Sequence, residues 1–331
     1  MDLYLPLLIS FLLSLFFAPL YIRFATSLHF GQNILGYVKE HESKQGTPTM
    51  GGIIFILPTI ISSLIFCKGD LQIALIILSV FLAYGIVGFL DDFIKIRFKR
   101  NLGLRAYQKI IFQLSIALII AFFIYNNTPY SSFYLPFTFS SVSIGLLIIP
   151  LVILAMLATT NSVNLTDGLD GLATGTSLMF FLIFILLNTF YMTNVADDSF
   201  AEYLSDLRNL NTIACAISGS LVGFLLYNIY PAKIFMGDTG SLSLGALVCL
   251  LCLFSGTILY LPIIGIMFVV SSLSVIIQVF YFRRTHKRVF LMAPFHHHLQ
   301  HKGMYETKIS LIYIVITLFV GLMVLAIIGG I

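Results

Sequence analysis

Charge is what this sequence has least of. Asp, Glu, Lys and Arg make up 10% of its 331 residues, hydrophobic residues make up 59%, and the mean hydropathy is +1.02. Soluble domains carry roughly 25% charged residues, so a soluble globular enzyme and a disordered chain are both excluded. Tryptophan is absent. Cysteine is nearly so, with Cys67, Cys215, Cys249 and Cys252 all inside apolar runs. Cys249 and Cys252 have C-x-x-C spacing, but no second pair or nearby His completes a metal site, so these read as small buried hydrophobes. No polar stretch is long enough for a separate soluble domain, which leaves residues 1–331 as one integral membrane domain.

What the chain has instead is apolar runs long enough to cross a hydrocarbon core, roughly 20 residues each. They lie near 3–27, 51–67, 71–90, 110–125, 142–159, 174–192, 212–230, 242–259, 261–282 and 309–330. The first is too long for a removable signal peptide and lacks a basic start and a small-residue cleavage site. The expected fold is an all-α polytopic membrane protein of about ten transmembrane helices. Of the 18 Lys and Arg residues, all but Lys68 and Arg208 fall on one side of these spans, as do the seven His. By the positive-inside rule that side is cytoplasmic and both termini are extracytoplasmic. Between the spans, 126–141 is uncharged and reads as a short external hairpin or an interfacial segment, and 197–211 as a short surface helix.

The polar segments on the basic side carry the chemistry. The most concentrated runs from Asn161 to Leu172, with Asn161, Asn164, Asp167 and Asp170 between two apolar runs and no basic residue to neutralise them. A capped helix start would explain part of it, with Asn164 as the cap and Asp167 and Asp170 on one helix face. Capping leaves the other polar groups over, which points to a metal or nucleotide site. The third span ends in Asp91-Asp92, with Lys95 one turn after Asp91. Acids at a helix C-terminus face the negative end of its dipole, so something positive should compensate. Lys44 to Gly52 has the Lys, hydroxyls and glycines of a phosphate-approaching loop, Thr49 among them, but no Walker sequence. Asn228, Phe235 and Asp238 lie in a turn-rich stretch where glycines and hydroxyls flank Asp238. His296, His297 and His298 diverge if helical, so zinc chelation is a poor fit and hydrogen bonds to phosphate a better one. Carboxylates without Cys suit a hard cation, and magnesium takes one or two of them plus substrate phosphates. Transporters more often place ionisable groups near mid-membrane, so an enzyme working on phosphates at the cytoplasmic surface is the better reading.

On Lys44 to Gly52, Asp91-Asp92, Asn161 to Leu172, Phe235 to Leu242 and Pro294 to His298, the chain resembles the bacterial phospho-N-acetylmuramoyl-pentapeptide transferases, of the polyprenyl-phosphate N-acetylhexosamine-1-phosphate transferase superfamily. The resemblance spans nearly the whole chain, and the Gly-Thr-Pro-Thr-Met-Gly-Gly run and the His triplet favour this branch. It implies transfer of phospho-N-acetylmuramoyl-pentapeptide from a UDP carrier to undecaprenyl phosphate, giving lipid I and UMP, with magnesium as cofactor. It implies a multi-pass protein of the bacterial cytoplasmic membrane, whose partners are the UDP-linked sugar-peptide, the polyprenyl phosphate and the bilayer. Nucleic acid is not among them, and a homodimer is compatible with it. By motif, Asp238 resembles the magnesium ligand, with Asp167 near metal and diphosphate. Asp91 resembles the residue at the lipid phosphate, with Asp92 beside it. Lys44, Asp170, Asn228 and Phe235 resemble nucleoside-pocket residues. Thr49, Lys95, Asn164 and the His296–His298 triplet resemble polar groups around the phosphates, and Asn161 falls in the same substrate-binding motif. This chain has Gln300 and His301 where the family usually has an acid, and lacks the family's Arg-Phe-Trp in the last span. A relative using another UDP-N-acetylhexosamine is the alternative, and a nucleotide-sugar transporter a more distant one.

Overall fold

The computed structural model describes residues 3–28, 46–98, 103–138, 140–194 and 201–330. In chain order the helices are α1 (Tyr4–Ser27), α2 (Ile53–Phe66), α3 (Gln72–Arg97), α4 (Ala106–Asn126), α5 (Ile148–Thr166), α6 (Leu172–Asn194), α7 (Ala201–Asn228), α8 (Gly237–Phe254), α9 (Leu261–Ile264), α10 (Ile266–Thr285), α11 (Phe295–His301) and α12 (Glu306–Gly329). Among the described residues nine helices are long and apolar enough to cross a membrane, and α2 is apolar but only 14 residues long. The fold is thus an all-α polytopic membrane protein. At about 1.5 Å per residue, α2 falls well short of a hydrocarbon core of about 30 Å. The segment before it is kept out of the helix by backbone bonds to another part of the chain. Phe235 N donates to Pro48 O at 2.8 Å, Gly51 N to Phe235 O at 2.9 Å and Gly52 N to Met236 O at 3.0 Å.

The bundle is built around α8. Every residue from Thr239 to Phe254 is buried, and α3 and α5 pack along it, with α2, α6 and α7 behind. A helix that is apolar all round belongs inside, so its polar N-terminal end is what the surrounding helix ends must satisfy. At the opposite end β1 (Ser132–Tyr134) and β2 (Ser141–Ser143) form the expected hairpin, with Phe133 opposite Val142. Tyr134 ties it to the end of α8 by donating its N–H to Gly256 O at 2.9 Å, and stacks on Tyr191 at 4.3 Å. The four cysteines are free and buried.

Two local expectations change. Helix α5 continues through Asn164 to Thr166, the chain breaks at Asp167–Gly171, and α6 starts at Leu172. Asn164 is therefore inside a helix rather than capping one, and Asp167 and Asp170 share no helical face. The cause is long-range: the Asn164 amide donates to Asp238 and Ser241, and Gly171 turns the chain at φ +72°. The stretch 197–211 is no separate surface helix; from Ala201 it forms the first turns of α7, and 197–200 lie outside the described residues. The Asp206, Asn209 and Asn211 side chains are buried and paired, whereas Arg208 is exposed. Asp206 accepts from the Tyr130 hydroxyl at 2.5 Å, and Asn209 bonds the backbone of Lys68 and Asp70.

Candidate active site

Helix α8 has no side-chain cap of its own. Asp92, from α3, supplies one from across the bundle. Its Oδ1 accepts from Asp238 N at 3.2 Å, and its Oδ2 from Thr239 N at 3.0 Å and the Thr239 hydroxyl at 2.8 Å. Helix α3 runs on to Arg97, so the acid pair sits inside it rather than at its expected end, and Asp92 alone faces the positive end of another helix. Gly237, at φ +72°, makes room, since a Cβ there would sit 2.4 Å from Asp92 Oδ2 and 2.8 Å from the buried Thr49 hydroxyl. Capping places Asp238 beside Asp91 and Asp92, so that one carboxylate oxygen from each lies within 4.8 Å of the others.

Buried carboxylates this close need cationic partners. Lys95 Nζ lies 2.6 Å from Asp91 Oδ2, 2.8 Å from Asp238 Oδ2 and 3.7 Å from Asp92 Oδ1, and Lys109 Nζ lies 2.7 Å from Asp238 Oδ2. The other oxygens are held too: Asp91 Oδ1 accepts from Leu104 N at 2.8 Å, and Asp238 Oδ1 from the Asn164 amide at 2.6 Å. In the sequence Lys109 closes a basic loop that could attract an anionic substrate; only the fold brings it to Asp238.

Asp167 caps the C-terminus of α5 and lies outside the convergent carboxylate set. Burial, then the fields of Asp238, Asp92 and Asp170, hold its carboxyl well above the usual carboxylate range. Beside it, a Cβ on Gly168 would stand 2.2 Å from His296 Nε2, so the imidazole packs directly on the glycine. His296 is fully buried, and neither ring nitrogen has a hydrogen-bond partner. Burial, reinforced by His297, lowers its basicity well below the usual imidazole value. The triplet diverges on α11 as expected. His297 Nδ1 meets Gln300 Oε1 at 3.1 Å, and His298 Nδ1 accepts from Leu291 N at 3.1 Å. Among the described residues no histidine joins a metal-ligand cluster.

Of the remaining expected residues, Asp170 and Asn228 are tied to the turn that carries Phe235. Asp170 Oδ2 accepts from Ala232 N at 2.9 Å. Asn228 donates to Ile234 O at 3.0 Å and accepts from the Thr174 hydroxyl at 2.6 Å. Together they fix the turn that delivers half-buried Phe235 and then Asp238. Asn161 faces away, its amide donating to Gln113 Oε1 at 2.9 Å. Lys44 lies outside the described residues.

Counted as fully ionised, three carboxylates against two ammonium groups leave one formal negative charge, in an all-oxygen donor set. That chemistry fits a hard divalent cation, and the lysines beside it suit phosphate oxygens.

Comparison with known proteins agrees. A family model described as glycosyl transferase family 4 matches residues 73–256, and phospho-N-acetylmuramoyl-pentapeptide-transferase signature 1 matches residues 44–56. The chain is 41% identical over 314 residues to a phospho-N-acetylmuramoyl-pentapeptide-transferase of Clostridioides difficile (strain 630), covering 94% of this chain and 92% of the relative. It is 42% identical over 311 residues to that of Thermoanaerobacter sp. (strain X514), covering 94% and 93%. With that of Clostridium kluyveri (strain ATCC 8527) it shares 42% over 318 residues, covering 95% and 96%.

Proposed function

This chain belongs to the phospho-N-acetylmuramoyl-pentapeptide transferases, and from that premise we propose that it transfers phospho-N-acetylmuramoyl-pentapeptide from UDP to undecaprenyl phosphate at the Asp91–Asp92–Asp238 cluster. The products are lipid I, a peptidoglycan precursor, and UMP. The observation that carries this reading is the convergence of three carboxylates and two lysines where α3, α4 and α8 meet. We place this face of the bundle in the cytoplasm, because the basic residues crowd there.

The reaction brings two anions together. An oxygen of the lipid phosphate attacks the sugar-linked phosphorus; that bond forms as the bond from the same phosphorus to the bridging oxygen breaks, and UMP leaves with that oxygen. A phosphate monoester has its second pKa near 6, so at neutral pH it is largely dianionic and needs no strong base. Asp91, with Lys95 on one oxygen and Leu104 N on the other, suits orienting the acceptor better than removing its proton. Lys95 and Lys109 offset charge on the diphosphate oxygens. Asp92 holds the α8 terminus, and with it Asp238, in place. Magnesium would be held by Asp238 with Asp91 and Asp92, Asp167 standing nearby, and when bound it would neutralise diphosphate charge. Neutral His296 keeps one N–H to donate to a phosphate oxygen.

The test is which UDP-sugar releases UMP when purified protein, magnesium and undecaprenyl phosphate are mixed. UDP-N-acetylmuramoyl-pentapeptide is the expected donor. Turnover of UDP-N-acetylglucosamine in its place would move the chain to a sugar-phosphate relative.

A further inference from the structure

The start of α12 grips one residue of the site from both sides. Glu306 Oε1 accepts from Asp170 N at 2.6 Å, and the Ser310 hydroxyl donates to Asp170 O at 3.2 Å. Glu306 and Ser310 are four apart, so they share a face of α12 and hold the peptide groups before and after residue 170. Asp170 passes the constraint on, because its own carboxylate takes Ala232 N at 2.9 Å. From there the turn runs to Phe235, whose N–H reaches Pro48 O at 2.8 Å. One line of hydrogen bonds therefore links α12 to the turn that presents Phe235.

We propose that Glu306 and Ser310 are positioning residues for the nucleoside end of the donor substrate, acting through Asp170 and the Ala232–Phe235 turn. This rests on the proposed function and on the family resemblance, which implies that Asp170, Asn228 and Phe235 receive the nucleoside. Asp238 lies only three residues beyond Phe235, yet it is held separately by Asp92, Lys95, Lys109 and Asn164. Loosening the grip therefore moves the nucleoside turn and leaves the reacting end fixed. The helix itself stays docked, because Leu169 and Leu172 pack against Ile309, Tyr313 and Met267 in a small apolar cluster. Removing the Glu306 acceptor deprives the N–H of buried Asp170 of its 2.6 Å hydrogen bond, a cost that motion of the turn relieves.

The experiment compares Glu306→Ala, Ser310→Ala and Glu306→Gln with wild type. It measures the KM for the UDP donor, the KM for undecaprenyl phosphate, kcat, melting temperature in detergent, and UMP binding by calorimetry. Glu306→Ala is expected to raise the donor KM and weaken UMP binding about tenfold, the scale of one hydrogen bond to a charged acceptor. Its kcat and lipid KM should stay within about twofold, and Ser310→Ala should show a smaller donor effect, as a neutral hydrogen bond gives. Glu306→Gln keeps an acceptor oxygen and should stay near wild type, which a purely electrostatic role would not allow. An unchanged donor KM in Glu306→Ala, or a fall in kcat with melting temperature at constant donor KM, overturns the proposal. Wild-type protein that binds no UMP sinks the underlying reading and this inference together. UMP binding that is equal in wild type and Glu306→Ala sinks the positioning role alone.

Discussion

At the scale of single residues, Asp238 is where the contacts converge: one oxygen takes both lysines and the other the Asn164 amide. Asp238→Asn keeps size and removes the charge that a cation and the lysines need. It should lower turnover by at least about 100-fold, the scale of losing a principal electrostatic contact, while gel filtration in detergent still shows folded protein. Wild-type rate and magnesium dependence in that variant would make Asp238 a turn residue. His296 carries a prediction in pH. Its folded-state pKa lies below its unfolded value, so its contribution to stability is complete above about 6.5 and is lost as pH falls towards the folded value. The melting temperature of wild type should therefore drop below that pH, and His296→Asn should flatten part of the drop, the other histidines being common to both. Identical slopes would contradict a buried neutral imidazole. Sequence alone marked both residues, Asp238 by its glycine and hydroxyl neighbours and His296 by its triplet. It could not single out Lys109 or Glu306, whose partners lie 129 and 136 residues away.

At the scale of elements, the site is a helix N-terminus capped by a neighbour. Asp92→Ala removes that cap and should cost about 1 kcal/mol, as lost caps do. Asp92→Asn keeps one acceptor oxygen, for Thr239, and loses the other, so it should recover part of that cost in thermal melts. Equal destabilisation by both would mean that the charge, rather than the hydrogen bonds to Asp238 and Thr239, holds the α8 end. The acid pair of α3 was legible as a problem needing a positive partner, but not as a cap, since Thr239 is 147 residues on. Asn164 was misread for the same reason: local capping preference favours Asn at a helix start, and a bond to Asp238 74 residues away outweighs it. The polar start of α7 looked solvated because its buried partners, Tyr130 and the Lys68–Asp70 backbone, come from other loops.

At the scale of the whole molecule, the helices were legible because hydropathy is a local property, and each of the apolar runs expected from sequence overlaps a helix. The run 261–282, however, is divided into α9 and α10, and 142–159 begins in β2. The shortness of α2 was not, since it follows from backbone bonds to Phe235 and Met236. Orientation rests on the basic residues. In a variant without native cysteines, exposed Lys233→Cys and Gly303→Cys should resist a membrane-impermeant maleimide in intact cells, and Lys68→Cys should react. External labelling at Lys233 or Gly303 would contradict the proposed cytoplasmic placement of the site. In the proposed reaction the lipid phosphate attacks the donor directly at the carboxylate–lysine cluster. The rival is a two-step route in which one of these Asp residues forms a phosphoryl-enzyme. Rapid mixing of enzyme, magnesium and radiolabelled UDP-N-acetylmuramoyl-pentapeptide without lipid separates them. Direct attack predicts no UMP burst and no labelled protein until undecaprenyl phosphate is added. A burst equal to the enzyme concentration, with label on Asp238 or Asp91, would contradict it.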